Sequence, residues 1–277
     1  MAISPSNDPR PLDEMNSLDA TIGRYEIRMP SEAGLMSQDQ EWCELTLEGE
    51  TSTIRFHDYD LIYHHPGLYE SLFYRMLKCT SPKQVVRLLE TVFEQDDQAD
   101  LSGLRVLDLG AGNGMVGEQL IDAGADAVVG LDIIPEAKAA VERDRPWVYD
   151  DYHIVDLLNL PEAKEKKIRE ARLNCLTTVA ALGFGDVPSG AFLKSLDLIE
   201  SPGWVVFNLN ENFLAPDDES GFAALIQELS ARKVLRVDAW LRYQHRLSTT
   251  GEPLFYLAMI AHKLDDVPVE MLEELLG

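Results

Sequence analysis

The second part of the chain, from residue 104 onward, alternates short apolar segments with helix-like ones, and this alternation constrains the fold most. The predicted strands are "RVLDLG", "AVVGLDII", "YHIVDLL", "LNCLTTVAAL" and "GWVVFNLN", and a helix is predicted after each of them. Apolar strands that are separated by helices form a parallel sheet with both faces covered. The sequence therefore predicts an α/β fold with a Rossmann-like, doubly wound sheet.

The C-terminal part of this region has a different pattern. Two long strands, "KVLRVDAWLRYQHRLS" and "LFYLAMIAHK", are separated only by the turn "TTGEP". Because no helix lies between them, they predict an antiparallel hairpin that completes a seven-stranded sheet. A short helix is predicted for residues 266–277, after the sheet domain of residues 100–265.

The first hundred residues predict a leader and a cap. Residues 1–35 are rich in Pro, Asp, Asn and Ser, which is typical of a flexible leader. Residues 36–99 predict an N-terminal cap, which contains a β-hairpin within "QEWCELTLEGETSTIRF" followed by helices. Ser81 and Pro82 predict the start of one of these helices.

Composition narrows the functional class. The 277 residues include 24 Lys and Arg against 48 Asp and Glu, for a net charge of −24, and such a surface repels nucleic-acid phosphates. The three cysteines form no C-x-x-C pair, and the adjacent His64 and His65 have no third ligand at a suitable spacing, so no metal is expected. With no apolar run of membrane-spanning length and no signal peptide, we expect a cytoplasmic protein without membrane contact.

A glycine-rich loop follows the first strand of the sheet domain, in "LRVLDLGAGNGMVGEQL". Gly110, Gly112 and Gly114 have the G-x-G-x-G spacing that suggests S-adenosylmethionine (AdoMet). Gly112, Gly114 and Gly117 also satisfy the G-x-G-x-x-G fingerprint of dinucleotide sites. Asp132, at the end of the second strand, is placed to bind ribose hydroxyls of either ligand.

Asp108 distinguishes the two ligands, because it lies two residues before the first glycine of the loop. A carboxylate at this position repels the pyrophosphate of a dinucleotide. It attracts the sulfonium and ammonium groups of AdoMet. The position of Asp108 therefore favours AdoMet.

The segment "VLDLGAGNG" resembles the AdoMet loop of class I methyltransferases, and the resemblance extends over about residues 100–263, including the closing hairpin. It implies AdoMet as cofactor and S-adenosyl-L-homocysteine as product. The motif N/D-P-P-Y/F of nucleic-acid amino methyltransferases is absent, which argues against methylation of a base. The implied binding residues are Asp108 near the methionine ammonium, Gly110, Ala111, Gly112, Asn113 and Gly114 in the loop, Asp132 on the ribose, Ile133 on the adenine, and Asp156 and Leu157 at the adenine edge.

Two regions are candidates for the site of the methyl acceptor. In the cap, Tyr59, Tyr63 and Tyr69 are candidates to pack on the cofactor or the acceptor, or simply in the core. In "WLRYQHRLS", Tyr243 and His245 share one face of a strand. If this face points at the cleft, His245 is a candidate base and Tyr243 a candidate donor; otherwise both are structural.

The sequence thus predicts an AdoMet-dependent methyltransferase that acts on a small molecule or a protein side chain, as a monomer or homodimer. Two alternatives stay open: an NAD(P)-dependent oxidoreductase, and a protein that binds AdoMet without catalysis.

Overall fold

The structure is a computed structural model that describes residues 25–30, 37–95, 100–183, 186–214 and 220–276. Its strands form two sheets. The smaller sheet consists of β1 (Glu26–Arg28), β2 (Trp42–Leu47) and β3 (Glu50–Arg55). The larger sheet consists of β4 (Arg105–Leu109), β5 (Ala127–Asp132), β6 (Asp151–Ile154), β7 (Cys175–Thr178), β8 (Gly203–Asn210), β9 (Leu235–Leu247) and β10 (Pro253–Lys263).

The larger sheet confirms the predicted α/β architecture. Its strand order is β6-β5-β4-β7-β8-β10-β9, in which β4 to β8 are parallel and β10 is antiparallel to both β8 and β9. The chain proceeds outward from β4 through β5 and β6, and then returns to place β7 on the other side of β4. Such a reversal opens a crevice at the carboxyl ends of the strands, where ligands bind in open α/β sheets.

Both faces of the larger sheet are covered. Neighbouring residues of a strand point to opposite faces, so that Val106 packs in one apolar cluster and Leu107 in the other. The helices are α1 (Tyr59–His64), α2 (Ser81–Gln95), α3 (Met115–Asp122), α4 (Pro135–Asp144), α5 (Glu162–Glu170), α6 (Ser189–Leu198), α7 (Phe222–Ala231) and α8 (Val269–Leu276). Residues of α2 and α3 pack on the Val106 face, and residues of α5 to α8 pack on the Leu107 face.

The cap comprises the smaller sheet, α1, a π-helical segment over Glu70–Met76 and α2. The predicted hairpin is present as β2 and β3, and β1 adds a third antiparallel strand. The cap is fixed to β9 through its backbone, because Thr80 N donates to His245 O at 2.8 Å and Leu247 N donates to Leu77 O at 2.6 Å. These bonds place the π-helical segment beside the crevice.

The four-part division of the chain stays a prediction. Strand β1 lies inside the predicted leader of residues 1–35, most of which falls outside the described residues. Helix α8 lies within the predicted C-terminal helix of residues 266–277. In the described part of the chain, no helix combines the length and the apolar character that a membrane crossing requires.

Candidate functional site

A cavity of about 560 Å³ lies between the cap and the carboxyl ends of β4, β5 and β6. Its volume is typical of small-molecule sites. Of the residues predicted from the sequence, Asp108, Gly114 and Tyr243 are not part of its lining. The predicted residues that line it are Gly110, Ala111, Gly112, Asn113, Asp132, Ile133, Asp156, Leu157, Tyr59, Tyr63, Tyr69 and His245.

The glycine loop takes a conformation that side chains disfavour. Gly110, Gly112 and Gly114 have φ angles of +69°, +53° and +88°. A Cβ atom on Gly112 would lie 2.5 Å from the hydroxyl oxygen of Tyr63. The loop therefore needs glycine both for its backbone and for the close approach of the cap.

Asp132 ends strand β5 and lies beside this loop. Its carboxylate accepts hydrogen bonds from the backbone N–H groups of Gly112 (2.9 Å), Ile133 (2.8 Å) and Ile134 (3.0 Å). Burial raises the pKa of Asp132, and these hydrogen bonds oppose the increase. The adjacent Ile133 is 60% exposed although it is apolar, so it offers a hydrophobic surface at the edge of the cavity.

Asp108 lies behind the loop and not in the cavity wall. Only 1% of its surface is exposed, and it accepts hydrogen bonds from Tyr149 Oη (2.7 Å) and Thr177 Oγ1 (2.8 Å). Burial raises its pKa to about 6. Tyr149 Oη is also 3.3 Å from the carbonyl oxygen of Ala111, so this hydroxyl connects the carboxylate to the loop. No motif in the sequence pointed to Tyr149, which lies in an irregular segment after α4.

Asp156 and Leu157 lie at the end of β6. The Asp156 carboxylate caps the short 3₁₀ turn Leu157–Asn159 by accepting from Leu158 N at 2.9 Å and from Asn159 Nδ2 at 2.7 Å. Both residues line the cavity. The turn therefore holds a carboxylate and a backbone segment at the same edge of the cavity as Ile133.

Aromatic rings of the cap form the opposite wall. The rings of Tyr59 and Tyr63 are stacked with centroids 5.9 Å apart, and Tyr69 lies 5.3 Å from Tyr63. Burial raises the pKa of all three phenols, so the hydroxyls are neutral at physiological pH. This wall combines apolar ring faces with neutral hydroxyl groups.

A polar contact joins the cap to the segment after β7. His57 Nδ1 lies 3.0 Å from Asp186 Oδ1, and both residues line the cavity. His64 and His65, which the sequence analysis considered as metal ligands, stack edge to face 5.3 Å apart. Across the described ranges, no group of three or more His, Cys, Asp or Glu side chains is arranged for a metal ion.

Tyr243 and His245 point to the same side of β9, into a buried polar cluster. Tyr243 Oη is bonded to Ser81 Oγ (2.7 Å) and Asn208 Nδ2 (2.6 Å), and His245 Nδ1 is 2.6 Å from Ser81 Oγ. Burial lowers the pKa of His245 well below its ordinary value, so the ring is neutral at pH 7. The catalytic roles of the two residues stay predictions.

A buried ion-pair network connects the cap to the glycine loop, and sequence reasoning missed it. Glu70 Oε1 accepts from Arg145 Nη1 and from Asn113 Nδ2, both at 2.8 Å, and Arg145 Nε is 3.3 Å from Glu118 Oε2. Glu70 and Arg145 are 75 residues apart in the chain. No local pattern relates positions at such a separation.

No protein-family model and no curated protein sequence matches the chain. Its structure is similar to that of the N-methyltransferase NodS from Bradyrhizobium japonicum WM9 in complex with S-adenosyl-L-homocysteine. The TM-score is 0.51 and the identity 13%, over 76% of this chain and 98% of that one. This chain has the class I methyltransferase fold. The fold that the "VLDLGAGNG" resemblance implies is thereby confirmed.

The structure is also similar to that of magnesium protoporphyrin IX methyltransferase from Synechocystis PCC 6803 with bound AdoMet. It has a TM-score of 0.45 and an identity of 15%, over 66% of this chain and 79% of that one. At identities this low, the substrates of these enzymes are not transferred to this protein.

Proposed function

We propose that the protein is an AdoMet-dependent methyltransferase with a small-molecule acceptor. One observation carries the proposal: a single cavity extends from the glycine loop and the strand ends to the aromatic wall of the cap. A donor at the loop and an acceptor against the cap would share this one cavity. The volume of about 560 Å³ suits small molecules, and a protein side chain is the less favoured acceptor.

The residues around the loop fit AdoMet. In the proposal, the backbone of the glycine loop cradles the methionine end, and Asp132 binds the ribose hydroxyls. Ile133 packs on the adenine, while Asp156 and the backbone of Leu157 bind its edge. The exposed apolar side chain of Ile133 supports this placement, because an uncovered isoleucine at a cavity mouth gains from burial under a flat ring.

Bound AdoMet supplies a methyl carbon that its positive sulfonium makes electrophilic. In a transfer to a lone pair of the acceptor, the electrons of the carbon–sulfur bond would pass to sulfur, and S-adenosyl-L-homocysteine would be the product. The chain's own contribution is to orient the two molecules and to exclude water. The cap tyrosines perform the second task.

The charge of the site favours a cationic ligand over a dinucleotide. Asp108 and Asp132 place two carboxyl groups at or behind the loop, where a pyrophosphate would be repelled. The antiparallel β9–β10 pair, which most dinucleotide-binding folds lack, points the same way. The cavity continues from the loop to the aromatic wall of Tyr59, Tyr63 and Tyr69, and this extension favours catalysis over simple AdoMet binding.

The proposal is tested by incubating the protein with AdoMet and fractions of a small-molecule extract and measuring release of S-adenosyl-L-homocysteine. We expect one or more fractions to support release by the wild-type protein and none to support it in Asp132→Ala. The matched control is Asp126→Ala, an exposed carboxylate just before β5, which should behave like wild type. Equal release by wild type and Asp132→Ala would contradict the proposed site.

A further inference from the structure

The imidazole of His245 is held rigidly at the edge of the cavity. It is 5% exposed and stacks on Tyr256, with centroids 4.1 Å apart and planes at 29°. Its Nδ1 atom faces Ser81 Oγ at 2.6 Å and Cys79 Sγ at 4.0 Å. Within the described residues no side chain or backbone group is bonded to Nε2. Among the described residues, the side-chain N and O atoms that are both buried and without a hydrogen-bond partner are Glu70 Oε2 and Thr178 Oγ1. Nε2 has no partner and is not one of these atoms, so it is not fully buried, and it is accessible from the cavity that His245 lines.

Hydrogen-bond donors and acceptors around Ser81 fix the proton on this ring. Asn208 Oδ1 accepts from Ala180 N at 2.6 Å, so Asn208 Nδ2 is the atom that donates to Tyr243 Oη at 2.6 Å. Tyr243 Oη therefore directs its single hydrogen to its other partner, Ser81 Oγ, at 2.7 Å. Ser81 Oγ also accepts from Asn208 Nδ2 at 3.3 Å, so both of its lone pairs are occupied and its own hydrogen is left for His245 Nδ1.

The reverse order leaves a buried donor unsatisfied. If His245 donated from Nδ1 to Ser81, and Ser81 to Tyr243, the phenol hydrogen of Tyr243 would have no acceptor among the described residues. A neutral ring that accepts at Nδ1 carries its hydrogen on Nε2.

The surroundings of Nε2 indicate what it binds. Aromatic side chains, including Tyr59, Tyr69 and Phe73, line the cavity. The nearby guanidinium of Arg246 also lines it, but it is paired with the buried carboxylate of Glu41 at 2.5 Å. Because the charge of Arg246 is already balanced by Glu41, the cavity suits an uncharged aromatic molecule better than a carboxylate.

We propose that the Nε2–H group of His245 is a preset hydrogen-bond donor to a carbonyl oxygen of an uncharged aromatic methyl acceptor. This inference rests on the proposed methyltransferase function, which identifies the bound molecule as the methyl acceptor. It differs from the general-base role predicted from the sequence, because in this tautomer Nε2 has no lone pair to take a proton.

The first test is ¹⁵N NMR of the histidine-labelled, ligand-free protein, with His245→Phe used to assign the signal. We expect the His245 ring to have a protonated Nε2 and an unprotonated Nδ1 at pH 7. A hydrogen on Nδ1, or a doubly protonated ring, would overturn the proposal. The measurement uses wild-type protein and does not depend on AdoMet.

The second test compares two probes, 4-hydroxyacetophenone and 4-ethylphenol, which share a skeleton and differ in the carbonyl oxygen. We expect the ketone to bind the wild-type protein about tenfold more tightly, the worth of one hydrogen bond. This preference should vanish in His245→Phe and remain in His245→Gln, which keeps a donor. Equal binding of both probes to the wild-type protein would overturn the proposal.

Failure of AdoMet to bind in calorimetry would instead contradict the proposed function, since neither test uses the cofactor.

Discussion

Gly112→Ala is expected to destabilise the protein through two separable causes. The first is backbone strain, because a residue with a Cβ atom at a φ angle of +53° loses about 1–2 kcal/mol relative to glycine. The second is overpacking, because the new Cβ would lie 2.5 Å from Tyr63 Oη. The Tyr63 ring lies between those of Tyr59 and Tyr69, which limits its retreat, and such overpacking costs about 1–3 kcal/mol.

The free energy of unfolding should therefore fall by roughly 2–5 kcal/mol in Gly112→Ala, as measured by urea denaturation without ligand. Removing the hydroxyl separates the two causes. In the double variant with Tyr63→Phe, the nearest ring carbon would lie 3.4 Å from the new Cβ, close to ordinary contact. We expect this second change to restore the overpacking part, about 1–3 kcal/mol, and to leave the strain.

Gly103→Ala is the matched control. Gly103 has a φ angle of +86°, and a Cβ atom there meets nothing within 4 Å, so this variant should lose only the strain energy. The reasoning would be refuted if Gly112→Ala cost no more than Gly103→Ala, or if Tyr63→Phe restored nothing in the Gly112→Ala background.

Two further predictions concern buried charges. Arg145→Met removes the cation that pairs with the buried Glu70 and should lower the free energy of unfolding by about 3–5 kcal/mol in urea denaturation. The exposed Arg172→Met should cost less than about 1 kcal/mol, and equal costs would contradict the network. Burial raises the pKa of Asp108 from 3.8 to about 6, so the folded protein binds a proton more tightly than the unfolded chain, and the contribution of Asp108 to stability falls as the pH rises from about 4 to about 6. The unfolding free energy of wild type minus that of Asp108→Asn should decrease by about 2 kcal/mol over this range, and a flat difference would show that the pKa of the Asp108 carboxyl is not raised.

Local sequence signals were sufficient for most of the sheet domain. A helix is predicted after "AVVGLDII", and helix α4 (Pro135–Asp144) follows that segment directly, with proline at the first helical position marking its start. Strand β8 covers the predicted Gly203–Asn210, a continuous apolar run bounded by turns. The alternation of such segments carried the prediction of the parallel sheet.

Features that depend on distant residues could not be predicted. Strand β1 has three residues, too few for a periodic pattern, and it forms only by pairing with β2. The Glu70–Arg145 pair and the bonds of Tyr149 to Asp108 arise from the tertiary arrangement. The sequence placed Tyr243 and His245 on one face. It did not reveal that Ser81, expected only as a helix start, contacts both side chains and determines which nitrogen of His245 carries the hydrogen.

The central claim, that the glycine loop and Asp132 bind AdoMet, is tested most directly by calorimetric titration of the purified protein with AdoMet and, separately, with NADH. We predict that AdoMet binds with one molecule per chain and NADH does not. In Asp132→Ala, loss of a charged acceptor for two ribose hydroxyls should weaken AdoMet binding about 100-fold or more, while Asp126→Ala stays at the wild-type affinity. Binding of NADH in place of AdoMet, or an unchanged AdoMet affinity in Asp132→Ala, would contradict the claim.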